Sequence, residues 1–267
     1  MYFRCPVCQQ PLDHRSNVWC CERGHHFDVA KEGYINLLPV NKKNSKDPGD
    51  NKEMMAARRL FLDSGHYQPL IDRILTLIEQ FKLKPQCTVD VGCGEGYYTS
   101  RLHQHVGHDL IGVDISRAAI RYAAKRYRDI QFTVASAFDL PLANGVADLV
   151  LRIFAPGSDD ELARICADNG IVINVSAGPK HHFAVKELIY EQPRLHPARE
   201  ANLAGFKLLH EERLQWSMNL PAGDICGAFL QMTPYAWKFT EQQKNALKLN
   251  GLICEIDFKI DIFERLK

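Results

Sequence analysis

The chain has 267 residues, enough for one substantial domain with a small appendage and cramped for two equal ones. With 46% hydrophobic and 24% charged residues it can bury a sizeable core, which excludes a disordered or fibrous polymer. A net charge of +1 decides nothing about nucleic acids, because a balanced total can hide a basic face.

In chain order, Met1-Tyr2-Phe3-Arg4-Cys5 is not a charged leader followed by an apolar stretch, and no apolar run approaches the ~20 residues that cross a bilayer. A secreted or membrane location is not expected. Residues 1–35 are rich in Cys, His and Gly and poor in large apolar side chains, so something other than a core must hold them. The spacing Cys5-x2-Cys8-x12-Cys21-x3-His25 aims two pairs of donors at one point and matches a tetrahedral zinc site. Four protein ligands leave no open position, so the ion, one per chain, is structural. Cys20 and His26 could each replace a neighbour as ligand, and only spacing favours Cys21 and His25. Nine cysteines, odd in number and unevenly placed, fit a reduced, cytoplasmic compartment better than a disulfide framework.

The polar run from Val40 to Asp50, with its Pro48-Gly49 turn, reads as a linker or a mobile substrate loop. Residues 51–81 place Met54, Met55, Leu60, Phe61, Leu62, Leu70, Ile74, Leu77, Ile78 and Phe81 at helical spacings, predicting two helices with a bend at Ser64-Gly65. Candidate strands then follow at Thr88–Val91, Leu110–Val113, Ile130–Val134, Asp148–Ile153 and Ile171–Val175, separated by helical stretches, which implies βαβ units and a parallel sheet. A helix is expected over 158–168, opened by a capping box of Ser158 with Glu161 and ended near Asn169-Gly170. Over 252–263, Ile256, Phe258, Ile260 and Ile262 alternate with Glu255, Asp257, Lys259 and Asp261, predicting a strand with one solvated side in an antiparallel closure of the sheet. These breaks divide the chain into a zinc module at 1–35, a linker with helices at 36–84 and a main domain at 85–267.

Asp90-Val91-Gly92-Cys93-Gly94-Glu95-Gly96 follows a β run and precedes a stretch that can start a helix, making a nucleotide-binding corner. Its glycines let the backbone pass close to a ligand. A dinucleotide fingerprint wants its third glycine where Tyr97 stands, and a phosphate loop wants Gly-Lys-Ser/Thr. The pattern instead resembles the first motif of class I S-adenosylmethionine-dependent methyltransferases. Asp114, 20 residues beyond Gly94, ends the next strand, where its carboxylate can accept both ribose hydroxyls. The resemblance puts adenine contacts near Ser136 and Ala137, ahead of Leu140-Pro141-Leu142. It also implies an α/β, doubly wound, mostly parallel seven-stranded sheet of Rossmann-like type beside the small zinc domain.

Across nearly all 267 positions the chain further resembles the 23S ribosomal RNA guanine-N1 methyltransferases. The likeness rests on the zinc cluster, Phe27-Asp28 with Ala30-Lys31-Glu32-Gly33-Tyr34, Asn36-Leu37-Leu38-Pro39 and Asp47-Pro48-Gly49-Asp50. It continues through Gly65-His66-Tyr67, the glycine loop, Gly178-Pro179-Lys180-His181 and Met232-Thr233-Pro234-Tyr235-Ala236-Trp237. The resemblance implies methylation of N1 of one guanine in a 23S rRNA hairpin, by a homodimer whose zinc domains help bind RNA. It implies cofactor contacts from Tyr67, Gly94, Glu95 and His181, although the doubled His181-His182 blurs which histidine faces the cofactor.

An RNA partner has uneven independent support. Arg117, Arg121, Lys125 and Arg128 share a helix face at i, i+4, i+8 and i+11, but with Ile120, Ala123, Ala124 and Tyr127 opposite they read first as the solvated side of a packed helix. Within 41–60, Lys42, Lys43, Lys46, Lys52, Arg58 and Arg59 outnumber Asp47, Asp50 and Glu53 by three, on a stretch that could close on phosphates. Guanine N1 is protonated and paired at neutral pH, so the base must be unpaired or extruded and N1 must lose its proton. Strand ends place Arg152, Phe154 and Pro156 near the target, with Phe154 either stacking on the guanine or sitting in the core. The segment lacks the Asn/Asp-Pro-Pro-Tyr signature of amino-methylating enzymes, which is compatible with a ring-nitrogen target. No general base stands out, and Asp160, Glu161, His181 and His182 are candidates. Two rival readings are a small-molecule methyltransferase with the zinc module as a lid, and an RNA-binding protein with a vestigial cofactor fold. Intact Asp90, Gly92, Gly94 and Asp114 argue against the latter.

Overall fold

The computed structural model describes residues 2–39, 52–198 and 200–267, so the expected linker from Val40 to Asp50 lies outside the described residues. Near the N-terminus, β1 (Asp13–Arg15), β2 (Val18–Cys20) and β3 (His26–Asp28) form an antiparallel meander, and β4 (Ile35–Asn36) leaves it to join the main sheet. Helices α1 (Lys52–Asp63) and α2 (Gln68–Gln80) follow, bent apart at Gly65, whose φ of +82° suits a residue without Cβ. Pro69 lies in the first turn of α2, where a missing N–H leaves no intrahelical bond unmade.

The doubly wound core then runs β5 (Cys87–Val91), α3 (Tyr97–Val106), β6 (Asp109–Asp114), α4 (Arg117–Arg126), β7 (Gln131–Val134), β8 (Ala147–Ile153), α5 (Asp159–Ile165) and β9 (Cys166–Ala177). It closes with α6 (Phe183–Ile189), β10 (Phe206–Leu220), α7 (Asp224–Met232), α8 (Glu241–Asn250) and β11 (Leu252–Arg265). The sheet order is β10-β11-β9-β8-β5-β6-β7-β4, parallel from β4 to β9 and antiparallel in β9-β11-β10. Strand order reverses at β5, which has β6 on one side and β8 on the other, and such a switch point opens a crevice at the carboxyl ends of the strands.

Both faces of the sheet are covered, so every residue of β5 is buried, Thr88 and Asp90 included, and the central strands are mostly apolar. One core cluster joins the sheet to α1, α2, α4 and α7. The other joins it to α5 and to Phe3 and Leu12 of the zinc module. Arg4 N donates to Pro141 O at 3.0 Å and Ala143 N to Tyr2 O at 2.8 Å, so the module is docked on the main domain by backbone bonds as well.

Five expectations need correction. The main sheet has eight strands rather than seven, because the two residues of β4, too few to show a period, add themselves to β7. The capping box does not form: Ser158 makes no side-chain cap bond, while Glu161 accepts from Leu140 N at 2.7 Å and pairs with Arg164 at 2.8 Å. The helix stops at Ile165, and the residues expected to finish it start β9 instead. β11, between β9 and β10, keeps only Glu255 of its expected charged face exposed, while Asp257, Lys259 and Asp261 are buried. Asp257 is 0% exposed and receives the Arg213 guanidinium, and the buried Lys259 ammonium sits 3.5 Å from Asp261. Finally, the basic face of α4 is partly engaged: Arg117 Nε donates to the Tyr34 hydroxyl at 3.1 Å and Arg121 Nε to Glu32 at 2.8 Å, docking the segment ahead of β4.

Candidate functional site

Cys5 and Cys8 stand on the turn before β1, and Cys21 and His25 on the turn between β2 and β3. One donor atom from each lies within 4.8 Å of the other three. Cys8 Sγ is 3.6 Å from Cys21 Sγ, and His25 Nδ1 is 3.5 Å from Cys5 Sγ and 3.3 Å from Cys21 Sγ. Bonds of ~2.3 Å to sulfur and ~2.0 Å to nitrogen put tetrahedral zinc ligands about 3.5–3.8 Å apart, so this donor set fits that ion. Cys20 and His26 are ladder partners across β2 and β3 and stay outside the cluster.

At the carboxyl ends of β5, β6 and β8 lies a cleft of about 630 Å³. Gly94 has φ +54°, and a Cβ there would meet no protein atom within 4 Å, so this turn faces open space. Gly92 is different, since a Cβ on it would overlap that of Ala155 and push the glycine turn off the segment after β8. The Asp114 carboxylate is oriented by backbone donors, accepting from Gly94 N at 2.9 Å and Ser116 N at 2.7 Å. Each oxygen of a carboxylate can accept more than one donor, which suits it to a pair of neighbouring hydroxyls. Burial lifts the Asp90 carboxyl to about 7, against the Thr99 hydroxyl that donates to it at 2.6 Å and with help from the charge of Asp114. Burial also raises Glu95 to about 6 despite Arg59 at 3.3 Å. An aimed carboxylate, a turn without side chain and walls from Val113, Ile115 and Ala137 fit a nucleoside's hydroxyls, backbone-side edge and apolar ring.

The far wall is a column of rings. Phe154, 47% exposed, has φ +52°, a strained value for a residue with a side chain. Its ring stacks on that of His181 with centroids 5.6 Å apart, and His181 stacks on His182 at 3.8 Å. His182 Nε2 and the Tyr67 hydroxyl share a buried hydrogen bond of 2.7 Å. Burial pushes the His181 imidazole down to about 3, the nearby His196 adding to the effect, and burial with the neighbouring His181 pushes His182 well down too. Both rings are therefore neutral at physiological pH. Asp257 fixes their loop by accepting from Lys180 N at 2.8 Å, and a side chain on Gly178 would overlap it.

Of the residues singled out by sequence, Tyr67, Asp90, Gly92, Gly94, Glu95, Asp114, Ser136, Ala137, Phe154, Pro156 and His181 line this one cleft. Gly96 and Arg152 stand off it. Gly96 opens α3 with φ +79°, and a Cβ there would sit 3.1 Å from the Tyr127 ring and 3.2 Å from that of Phe132. Arg152 Nε donates to Asn174 at 2.8 Å, below the cleft wall. Glu161 is taken up by Leu140 N and Arg164, and Asp160 is exposed on α5. Sequence reasoning missed His196, whose Nε2 meets the His181 carbonyl at 3.1 Å, because it lies in a stretch with no periodicity. It also missed Asp63 and Arg126, an ion pair at 3.0 Å on the rim.

Residues 3–46 match the family model described as "RlmA, N-terminal", a zinc ribbon, and residues 88–169 match one described as "Methyltransferase domain". The second match runs from β5 into β9, the part of the sheet that builds the cleft. Over 245 residues the chain is 34% identical to the 23S rRNA (guanine(748)-N(1))-methyltransferase of Streptomyces fradiae, an alignment covering 88% of this chain and 86% of that one. It is 31% identical to YxjB of Bacillus subtilis (strain 168), named as a candidate 23S rRNA (guanine-N(1)-)-methyltransferase, over 99% of this chain and 97% of that one.

Proposed function

The chain belongs to the family of 23S rRNA (guanine-N1)-methyltransferases, and we propose how its own residues carry a methyl group from S-adenosylmethionine to N1 of a guanine in 23S rRNA. S-adenosylmethionine supplies an electrophilic methyl carbon on a sulfonium. The Asp114 carboxylate accepts the ribose hydroxyls, and the open turn at Gly94 lets the nucleoside lie against the backbone. Ser136 and Ala137 flank the adenine, while Tyr67, Glu95 and His181 close the amino-acid end. Neutral rings at 181 and 182 place no positive charge against the sulfonium. Cys5, Cys8, Cys21 and His25 hold the structural zinc, which replaces a core that residues 1–35 cannot build.

Methyl transfer from a sulfonium is an in-line displacement, so holding nucleophile and methyl carbon in near-attack geometry dominates the rate. The guanine must leave its base pair to reach the cleft. Phe154, exposed, strained and braced by His181, offers the face on which it stacks, and Pro156 borders the same opening. The same reading makes the protein a cytoplasmic homodimer, with the zinc module at 1–35 assisting RNA binding, 36–84 connecting it and 85–267 carrying catalysis.

A single observation supports this most: the Asp114 carboxylate, the open turn at Gly94 and the exposed Phe154 ring share one cleft. Incubation of unmodified 23S rRNA fragments with methyl-labelled S-adenosylmethionine tests it. Label should enter the RNA, with binding that weakens steeply as salt rises. Transfer confined to small acceptors, with little salt dependence, would replace the RNA by a small-molecule substrate.

A further inference from the structure

The motif Met232-Thr233-Pro234-Tyr235-Ala236-Trp237 is only partly absorbed by the cofactor cleft. Met232, Pro234 and Tyr235 line it, and Trp237 does not. Trp237 is 78% exposed, the most of any large apolar side chain among the described residues. It is not on a loose loop. Ala236–Lys238 form a 3-10 turn closed by Lys238 N donating to Tyr235 O at 2.8 Å and Ala236 N to Thr233 O at 3.2 Å. Beneath that turn the buried Thr233 hydroxyl donates to Leu230 O at 2.8 Å.

Lys238 Nζ lies 4.2 Å from the centroid of Tyr190 and 4.9 Å from that of Trp237, and Tyr190 meets Tyr235 edge to face at 6.4 Å. Three aromatic rings and one ammonium thus form a ledge. It begins inside the cleft at Tyr235 and reaches solvent at Trp237, two residues or at most ~7 Å of chain farther on. A lone exposed apolar side chain needs no explanation. An indole held out by a hydrogen-bonded turn, beside a cation and continuous with an active-site cleft, does.

Extruding a base from a hairpin unstacks its neighbours. Surfaces that bind single-stranded nucleic acid offer those bases aromatic faces and offer the linking phosphates cations. Resting on the rRNA reading above, we infer that Trp237, Lys238 and Tyr190 form a stacking subsite for a nucleotide adjacent to the target guanine. The indole receives the base and the Lys238 ammonium the phosphate.

The test uses full-length, zinc-loaded protein and a 23S rRNA hairpin carrying 2-aminopurine beside the target guanine. Three readouts are followed: fluorescence on binding, steady-state methylation, and calorimetry with S-adenosylhomocysteine. Trp237→Ala should weaken RNA binding about 5- to 150-fold, the range for one stacked base. The loss should fall on KM for RNA, with kcat and S-adenosylhomocysteine affinity near wild type, and Trp237→Phe should recover most of it. Wild-type protein should quench the 2-aminopurine and Trp237→Ala should not. Lys238→Gln, at a half-buried lysine, should lower the slope of log affinity against log salt by about one. Wild-type affinity and quenching in Trp237→Ala would overturn the proposal, as would an unchanged salt slope in Lys238→Gln. So would a loss explained by altered subunit association in sedimentation, which would make the ledge a contact between copies. Failure of the rRNA reading itself looks different, because wild-type protein would then transfer no methyl group to the hairpin.

Discussion

The Tyr67 hydroxyl and His182 Nε2 meet at 2.7 Å inside the protein, although the two residues are 115 positions apart. Their bond ties the turn between α1 and α2 to the loop after β9, and it sets the ring on which His181 stacks. Tyr67→Phe removes the hydroxyl and leaves a buried ring nitrogen without that partner, at a cost of about 1–3 kcal/mol. Urea unfolding should show the loss, and calorimetry should show weaker binding of S-adenosylhomocysteine. Wild-type stability and affinity would contradict the bond's part in shaping the cleft.

The buried histidines predict acid sensitivity. Both are held below the ~6.5 of a free imidazole, so below that pH the unfolded chain takes up protons that the folded one refuses. Above ~6.5 they contribute nothing to the pH dependence of stability. Below it stability falls, toward the value of about 3 at which His181 itself titrates. The fall is at most about 1.4 kcal/mol per pH unit for each histidine. Urea midpoints between pH 7.5 and 5.0 should show wild-type protein losing ground to a His181→Gln, His182→Gln variant. A gap between them that stays constant with pH would be inconsistent with two buried neutral rings.

Gly94 and Phe154 should separate cofactor binding from turnover. Gly94→Ala puts a methyl into the open face of the glycine turn at φ +54°, and should reduce S-adenosylhomocysteine affinity at least ~10-fold. Phe154→Ala should cut turnover on RNA while leaving cofactor affinity intact. Equal loss of both in the Phe154 variant would refute a stacking role for that ring.

Cys21→Ser should lose the zinc and Cys20→Ser should keep one zinc per chain, as read by metal analysis of purified protein. Because Phe3 and Leu12 share a core cluster with Val89 and Leu142, chelation should also lower the thermal midpoint of the main domain. Retained zinc in Cys21→Ser would move the site onto its neighbours.

What was legible in the sequence follows from how far each signal travels. Strands covered on both faces are mostly apolar, so β5 and β8 could be read directly despite Asp90, Asp148 and Arg152. β11 misleads because alternating charge normally means a wet face, whereas Asp257, Lys259 and Asp261 find partners inside the sheet. Glu161 sits at the spacing of a capping box, but Arg164 and Leu140 N compete for its carboxylate and win. The donor spacing marked the metal cluster, while the exclusion of Cys20 and His26 depends on the pairing of β2 with β3. The stack of Phe154, His181 and His182 joins segments with no periodic relation, so only the folded chain reveals it.

Reverse transcription across the methylated RNA reads out the modified atom itself. A methyl group on N1 blocks the base-pairing edge of guanine, so extension should halt at a single guanine after treatment with wild-type protein and cofactor. Asp114→Asn, deprived of the carboxylate that receives the ribose, should leave full-length extension. Read-through on RNA that has taken up label would place the methyl on an atom outside the pairing edge, and RNA with neither label nor stop would remove the enzymatic assignment altogether.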